Sequence, residues 1–410
     1  MRLLHASGVV TGDSGPIVDG AVVVDERGQV LDLGPAVALL PRHAGLPIES
    51  IRGVLAPGLV NAHTHLELSA LRGQVPGGGG FVPWVEQLIG ARAELQPDEQ
   101  TGVVESEVSQ LDALGTVAVG EVTNSLSAVT TLAKYGFAGC IFHEVFGVEL
   151  EALEKRVARL PRMVEEEVGV WPTSELVYAP TPHTLYTTHA AVARRLLEEA
   201  RGRGVRASIH LAEHPAERRF LERGDGPVAE WYESRLKLPR DIFACPHKSP
   251  VDFADEIGAL APHVVCVHLT DARPHELEVV ARRGASVVLC PRSNLYIETR
   301  LPPLLSLRQA GIALSLGTDS LASSPSLDVL AEARALADRF PTVPPGDLVR
   351  MATWEGARAL GRADLGRIAR GACPGLFAVD GDPGSDPCAF LLANLRAPRR
   401  WIARRPRPRS

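Results

Sequence analysis

The stretch Val54–Ser69, VLAPGLVNAHTHLELS, decides how the rest of the chain is read. It starts apolar, passes through Pro57-Gly58 and reaches His63 and His65, one residue apart. Alternate side chains of a strand share a face. The two imidazoles therefore point the same way, and neutral imidazoles side by side are good ligands for a transition metal. Alone, the pair is weak evidence. With 13 His among 410 residues, a His-x-His arises by chance about as often as not. Its meaning depends on what the flanking chain supplies.

Outward from this stretch, two periodicities alternate. Helical spacing predicts helices over Pro97–Leu114, Leu150–Val168, Thr188–Arg203, His275–Arg283 and Leu327–Phe340. Short apolar runs lie between: Thr116–Val122, Ala138–Val145, Glu175–Pro180, Val205–Leu211, His263–Leu269, Ala285–Cys290 and Ile312–Gly317. With Val54–Ala62 they make eight strands. Strands and helices in alternation imply parallel βαβ units, and eight such units imply an α/β chain closed into a (β/α)8 TIM barrel. The Gly77–Gly80 run reads as a flexible loop after the first strand. The chain ends read differently, as short strands and turns (Ala21-Val-Val-Val-Asp25, and LFAVDGDPGSDP from Leu376). Neither end is long enough for its own core. The expectation is one small β-sandwich from residues 1–56 plus 361–410, flanking a catalytic barrel over 57–360.

The bulk numbers exclude some classes of partner. A net charge of −6 gives no reason to expect nucleic acid. No run of 18 apolar residues suggests a membrane span, and MRLLHASGVV turns polar too soon for a signal peptide. The six Cys form no CxxC pair, which fits a reducing, cytoplasmic compartment. The Arg/Pro-rich tail Arg396–Arg409 reads as a solvated end. A homodimer is the default assembly.

In a barrel of this kind the working residues sit at the C-terminal ends of strands. Polar residues fall there repeatedly: His63 and His65; His183 in PTPH; His210, Glu213 and His214 in IHLAEH; His268; Arg292 and Asn294 in CPRSN; and Asp319 in GTDS. Any one of these histidines is unremarkable. Suitable ligands at the ends of four strands point jointly to a metal site.

At this point the chain resembles the deaminase branch of the amidohydrolase superfamily, on APGLVNAHTHLELS, IHLAEHPAE, VVCVHL, CPRSN, SLGTDS and ATWEGARALG. The resemblance implies that His63, His65, His210 and Asp319 bind one divalent ion, with zinc the default and iron or manganese the alternatives. It implies that Glu213 shuttles protons, and that His268 orients the activated water and, with Asp319, accepts its proton. The chemistry is coherent. Three imidazoles and a carboxylate leave a position for water, whose pKa the ion lowers toward ~7. A carboxylic acid facing the ring edge serves both the ring nitrogen and the leaving amine. Read without the resemblance, Glu213 could equally be a harmless charge in the first turn of a helix. Relatives with two metals often bridge them through a strand-four lysine. The four lysines here, Lys134, Lys155, Lys237 and Lys248, lie elsewhere, so one ion is expected.

The substrate is read from the mouth. Glu67 and Ser69 are candidates for holding a sugar, and His183 matches a histidine that contacts substrate in related deaminases. Trp84 either walls a purine or packs its loop onto the barrel. Arg292 either binds a carboxylate or forms a rim ion pair, and Asn294 lies beside it. HLELS, FVPWV and GDGPVAEW, with IHLAEHPAE and CPRSN, are similar to deaminases acting on 6-amino-6-deoxyfutalosine, an adenine nucleoside with a benzoate group used in menaquinone synthesis. The resemblance therefore implies an aminated purine nucleoside as substrate. S-Adenosylhomocysteine, methylthioadenosine and guanine deaminases, and hydrolases of C–Cl or cyclic amide bonds, share the same catalytic set and remain alternatives.

Overall fold

Val-rich runs at the N-terminus form β1 (Arg2–Val9), β2 (Ile17–Val24), β3 (Val30–Pro35) and β4 (Ile48–Pro57) in the computed structural model, which describes residues 1–239 and 242–405. The middle of the chain gives β5 (Leu59–Thr64), β6 (Thr116–Thr123), β7 (Ala138–Val145) and β8 (Leu176–Pro182). It continues with β9 (Ala207–Leu211), β10 (Val264–His268), β11 (Ser286–Leu289) and β12 (Leu314–Leu316). The C-terminus adds β13 (Leu376–Asp380) and β14 (Arg400–Ala403). Every residue of β6, β7 and β10 is buried. Both faces of these strands are covered, which is why they read as mostly apolar runs rather than alternating ones.

Strands β5–β8 pair in parallel in sequence order, and so do β9–β12. The two four-stranded sheets meet along both edges. Ser208 N donates to Thr181 Oγ1 at 2.8 Å and His210 N donates to the His183 carbonyl at 3.0 Å, joining β8 to β9. On the other side Thr64 bridges Asp319 in parallel, and the Thr318 and Asp319 amides both donate to the His63 carbonyl, at 3.0 and 3.1 Å. Gly317 is required at that seam, because a Cβ there would sit 2.6 Å from His63 Cβ.

The chain ends pair in one six-stranded sheet of order β14-β13-β4-β1-β2-β3. β13 runs antiparallel to β4, so Leu376 faces Pro57 across 318 residues of intervening chain. Leu4, Val22, Val24, Leu55 and Leu376 cluster on one face. Leu3, Ala21 and Val23 cover the other with Leu39 of the short helix Ala36–Arg42.

Three expectations change. Val54–Ala62 is not one strand: β4 belongs to the terminal sheet, and β5 starts a new one after Gly58. A Cβ at Gly58 would lie 2.3 Å from Val117 Cγ1 and 2.7 Å from the Pro374 carbonyl, so only glycine makes this crossing. The Gly77–Gly80 run is anchored rather than free, with Gly78 N donating to the Tyr296 carbonyl at 2.7 Å and Gly80 N to that of Ile297 at 3.2 Å. The arginine-rich tail is not simply solvated. Its Arg400–Ala403 segment is β14, and Arg399 is buried in a bidentate pair with Asp328 at 2.8 and 2.6 Å. A planar guanidinium suits a buried carboxylate, and this pair ties the C-terminus to the start of the helix Val329–Arg339. The end of the tail, residues 406–410, lies outside the described residues.

Candidate active site

The C-terminal ends of β5, β9, β10 and β12 converge. His63 lies in β5, and His65 follows it at the start of the 3-10 turn Leu66–Leu71. Ring centres are 4.8 Å apart for His63 and His65, and 4.9 Å for His63 and His210. Asp319 Oδ1 stands 3.6 Å from His65 Nε2 and 3.9 Å from His63 Nε2. The side-chain donors of His63, His65 and Asp319 lie within 4.8 Å of one another, as do those of His63, His210 and His268.

Two details test whether a divalent ion fits here. Both ring nitrogens of His63 are buried and have no hydrogen-bond partner. A buried imidazole rarely goes without partners, and a metal ligand is the arrangement that needs one nitrogen left free. Burial, and after it the neighbouring histidines, also hold the pKa of His63 well below the ordinary histidine value, so it keeps its lone pairs. The second detail is His210, whose Nδ1 faces the His183 carbonyl at 3.2 Å and Glu144 Oε1 at 3.3 Å. Two acceptors place a proton on Nδ1 and leave Nε2 for an ion, the usual arrangement in carboxylate–histidine–metal sites. Burial disfavours charge on His210, but the Glu144 hydrogen bond and carboxylate charge raise its pKa, while His183 and His210 lower that of Glu144 against its own burial. Asp319 is held as well: Oδ2 accepts from Ser293 Oγ at 2.5 Å and Ser323 Oγ at 3.2 Å, and Oδ1 accepts from Ser320 N at 2.9 Å. The donor set fits a divalent cation.

Glu213 follows β9 on a turn braced from below. Glu217, in the helix Pro215–Arg223, accepts the backbone N–H groups of Ala212 and Glu213 at 3.0 and 2.8 Å. Ala212 sits at φ 48°, a left-handed conformation these bonds stabilise. Burial holds the Glu213 carboxyl well above the usual carboxylate range, with Asp319 adding to it and His210 opposing. Its Oε1 lies 3.5 Å from His268 Nε2, and Asn294 Nδ2 lies 3.2 Å from His268 Nδ1. Burial lowers the pKa of His268 to about 3 and that of His183 to about 4.

A pocket of about 210 Å3 opens over this cluster and is lined by His65, His183, His210, Glu213, His268 and Asp319. Its opposite wall is the helix Phe81–Glu94, which presents Trp84, Val85, Leu88, Ile89 and Arg92. A larger groove of about 600 Å3 lies beyond Phe81 and Trp231, but none of the clustered histidines lines it.

The structure does not bring every expected contact to the pocket. Trp84 lines it, from a helix rather than a loop, and also packs on Leu68, Leu71 and Ile297. Ser69 is buried in the 3-10 turn, away from the lining, with its hydroxyl unpartnered. Glu67 does line the pocket, but its carboxylate is already engaged by Arg92, Thr123, Ser125 and the Asn124 amide. Ser69 is thus not brought to the pocket, and Glu67 lines it as a carboxylate already paired with Arg92. Arg292 is outside the lining too: its side chain bonds Ser326 at 3.0 Å and stands 3.6 Å from Glu332, a buried acid that needs a counter-charge. Asn294 touches His268 rather than the pocket.

Glu144 and Arg92 were missed. Glu144 follows His143 near the end of a mostly apolar strand, and its place at a strand end was the signal available. Arg92 continues the face of Trp84, Val85 and Leu88 at helical spacing. Burial would raise the Glu67 carboxyl, but Arg92, Ser125 and Thr123 hold its pKa below the ordinary value.

Comparison with known proteins agrees with this geometry. An aminodeoxyfutalosine deaminase of Deinococcus radiodurans is 30% identical over 373 residues, covering 88% of this chain and 86% of its own. A 5-methylthioadenosine/S-adenosylhomocysteine deaminase of Halobacterium salinarum is 30% identical over 390 residues, covering 92% and 84%. The crystal structure of Helicobacter pylori aminofutalosine deaminase in complex with methylthio-coformycin superposes with a TM-score of 0.83 at 22% identity, covering 98% of both chains. The amidohydrolase family model matches residues 54–400, which contain every donor of the metal cluster, and the chain belongs to the amidohydrolase family.

Proposed function

We propose that this protein is a metal-dependent hydrolytic deaminase of an adenine-type nucleoside, with 6-amino-6-deoxyfutalosine as the leading substrate and futalosine and ammonia as products. The observation that carries the reading is His63, buried with both nitrogens unpartnered among His65, His210 and Asp319. Those four residues would hold one divalent ion, zinc by default for this donor set. Bound there, the ion supplies a water acidic enough to act as a nucleophile near neutral pH.

The remaining chemistry belongs to the chain. Glu213, kept protonated by its burial, gives its proton to the ring nitrogen beside the amino-bearing carbon. The water's oxygen bonds to the ring carbon; one of its two protons goes to the amine, which leaves as ammonia as the C–N bond breaks, and the other restores Glu213. His268 and Asp319 would take up the water's protons and relay them. His183 faces the ring from β8. Trp84 and Phe146 close the pocket against bulk water with apolar surface. Glu144 fixes the orientation of His210.

The meeting of the two four-stranded sheets at both edges supports a closed (β/α)8 barrel over 57–360, with the six-stranded sheet of the chain ends as a separate small β domain. Six free cysteines favour a reducing, cytoplasmic compartment. No helix among the described residues is long and apolar enough to cross a membrane. A homodimer is the assembly to check by light scattering.

The second substrate reading is a 5′-thio-substituted adenosine, favoured by the equal identity to the Halobacterium relative. Ammonia release and the ultraviolet shift from adenine to hypoxanthine, measured on aminodeoxyfutalosine, methylthioadenosine, S-adenosylhomocysteine and adenosine, decide between them. Highest kcat/KM on aminodeoxyfutalosine is expected. No ammonia from any of the four would refute the deaminase reading.

A further inference from the structure

We propose that Arg92 is the recognition group of an outer subsite, and that it selects nucleosides whose 5′ arm ends in a carboxylate. The inference rests on the deaminase reading and adds the residue that sets its specificity.

Arg92 is the one arginine or lysine lining the pocket among the described residues. Its guanidinium is fixed before any ligand arrives: Nη2 donates to Glu67 Oε1 at 2.8 Å and Nη1 to Asn124 Oδ1 at 3.4 Å. Glu67 is itself anchored by Thr123 Oγ1 at 2.8 Å and Ser125 Oγ at 2.6 Å, so the partner does not swing. The side chain of Arg92 remains 39% exposed while that of Glu67 is 4% exposed. Both residues line the pocket, and the cation is the more accessible member of the pair. A guanidinium offers five N–H donors, and those not engaged by Glu67 and Asn124 remain for a ligand. Two of them on one edge match the two oxygens of a carboxylate.

The surface leading to Arg92 describes the rest of the arm. Trp84, Val85, Leu88 and Ile89 precede it on the same helix and line the same pocket. From Trp84 to Arg92 is eight residues, about 12 Å along a helix axis. The chain thus presents an apolar strip about two turns long that ends in a positioned cation. An aryl or hydrocarbon arm with a terminal carboxylate satisfies both parts, whereas a neutral arm fills the strip and leaves the cation unanswered. Arg292, the other arginine considered for this role, is engaged by Glu332 and Ser326 outside the pocket.

The test compares kcat/KM on aminodeoxyfutalosine, whose arm ends in a carboxylate, with that on methylthioadenosine, whose arm is neutral, in the parent enzyme and in Arg92→Lys and Arg92→Gln. Arg92→Lys keeps the charge beside Glu67 and so preserves folding, but loses the planar fork. The expected result is a fall of about ten-fold or more in the ratio of the two values, carried by KM rather than kcat, and larger in Arg92→Gln. As a readout on the parent enzyme alone, benzoate should inhibit methylthioadenosine deamination competitively at concentrations where benzamide does not. An unchanged substrate ratio in both variants, or equal inhibition by benzoate and benzamide, overturns the assignment while leaving the deaminase reading intact. Absence of ammonia from every nucleoside overturns that reading and this inference with it.

Discussion

The two ends of the pocket treat a buried glutamate in opposite ways. At the metal end, Glu213 has its backbone held by Glu217 while its carboxyl faces the reacting space, pushed up by burial and by Asp319. At the outer end, Glu67 is equally buried, but Arg92 and the hydroxyls of Ser125 and Thr123 hold it down as a carboxylate. Burial raises both, and the difference lies in their partners. A carboxyl with few compensating partners is pushed up by its burial, which favours the protonated form. A carboxyl surrounded by them becomes scaffolding that positions an arginine.

The sharpest way to break this contrast is at the metal end. Dialysis against a strong chelator should abolish turnover and lower the thermal midpoint, and stoichiometric zinc should restore both; full activity in a preparation shown by elemental analysis to be free of metal would exclude the ligand set. Next in size, Glu213→Gln should lower kcat by roughly 10³-fold, within the range for loss of a general acid–base, while metal content stays at the parental level. Near-parental turnover in this variant would remove Glu213 as the proton carrier. Glu144→Gln should weaken metal binding by about ten- to one-hundred-fold, the usual effect of removing a carboxylate behind a histidine ligand. Competition with a fluorescent zinc chelator reads this directly, and unchanged affinity would make Glu144 a substrate contact instead.

The smallest effect is expected at the outer end. Glu67→Gln should destabilise the fold by about 1–3 kcal/mol, the cost of unpairing one buried charge-assisted contact, with much less loss of kcat than Glu213→Gln. The pH dependence has a definite sign. The folded pKa of Glu67 lies below its unfolded value, so its contribution is fully present above the unfolded pKa and is lost as pH falls through the folded one. Urea unfolding of the parent should therefore weaken more steeply below about pH 4.5 than that of Glu67→Gln. Parallel acid limbs would show that Glu67 is not the pre-charged member of the two.

How much of this was legible beforehand follows from the range of each interaction. The strands β6, β7 and β10 could be read because parallel strands covered on both faces are predominantly apolar runs, a local property. His63, His65, His210, His268 and Asp319 were readable as donors because each stands at or just beyond the end of such a run. The split at Gly58 was not, since only the approach of Val117 and Pro374 shows that the chain changes sheets there. Nor was the pairing of Glu67, whose partners Thr123 and Ser125 lie 56 and 58 residues away.

The sequence by itself placed most of the apolar runs between the chain ends and the His and Asp donors that follow them, because periodicity and spacing act over a few residues, whereas Glu213 was singled out only by the family resemblance. Tertiary structure alone decided which arginine faces the pocket. Arg292 stands just beyond a predicted strand end, whereas Arg92 lies in the helix Phe81–Glu94, between two predicted strands. Arg292 is drawn away by Glu332 from a later helix, and Arg92 is held in place by Glu67 from a preceding turn. A guanidinium goes where a buried carboxylate needs it, and which carboxylate that is depends on packing between distant segments.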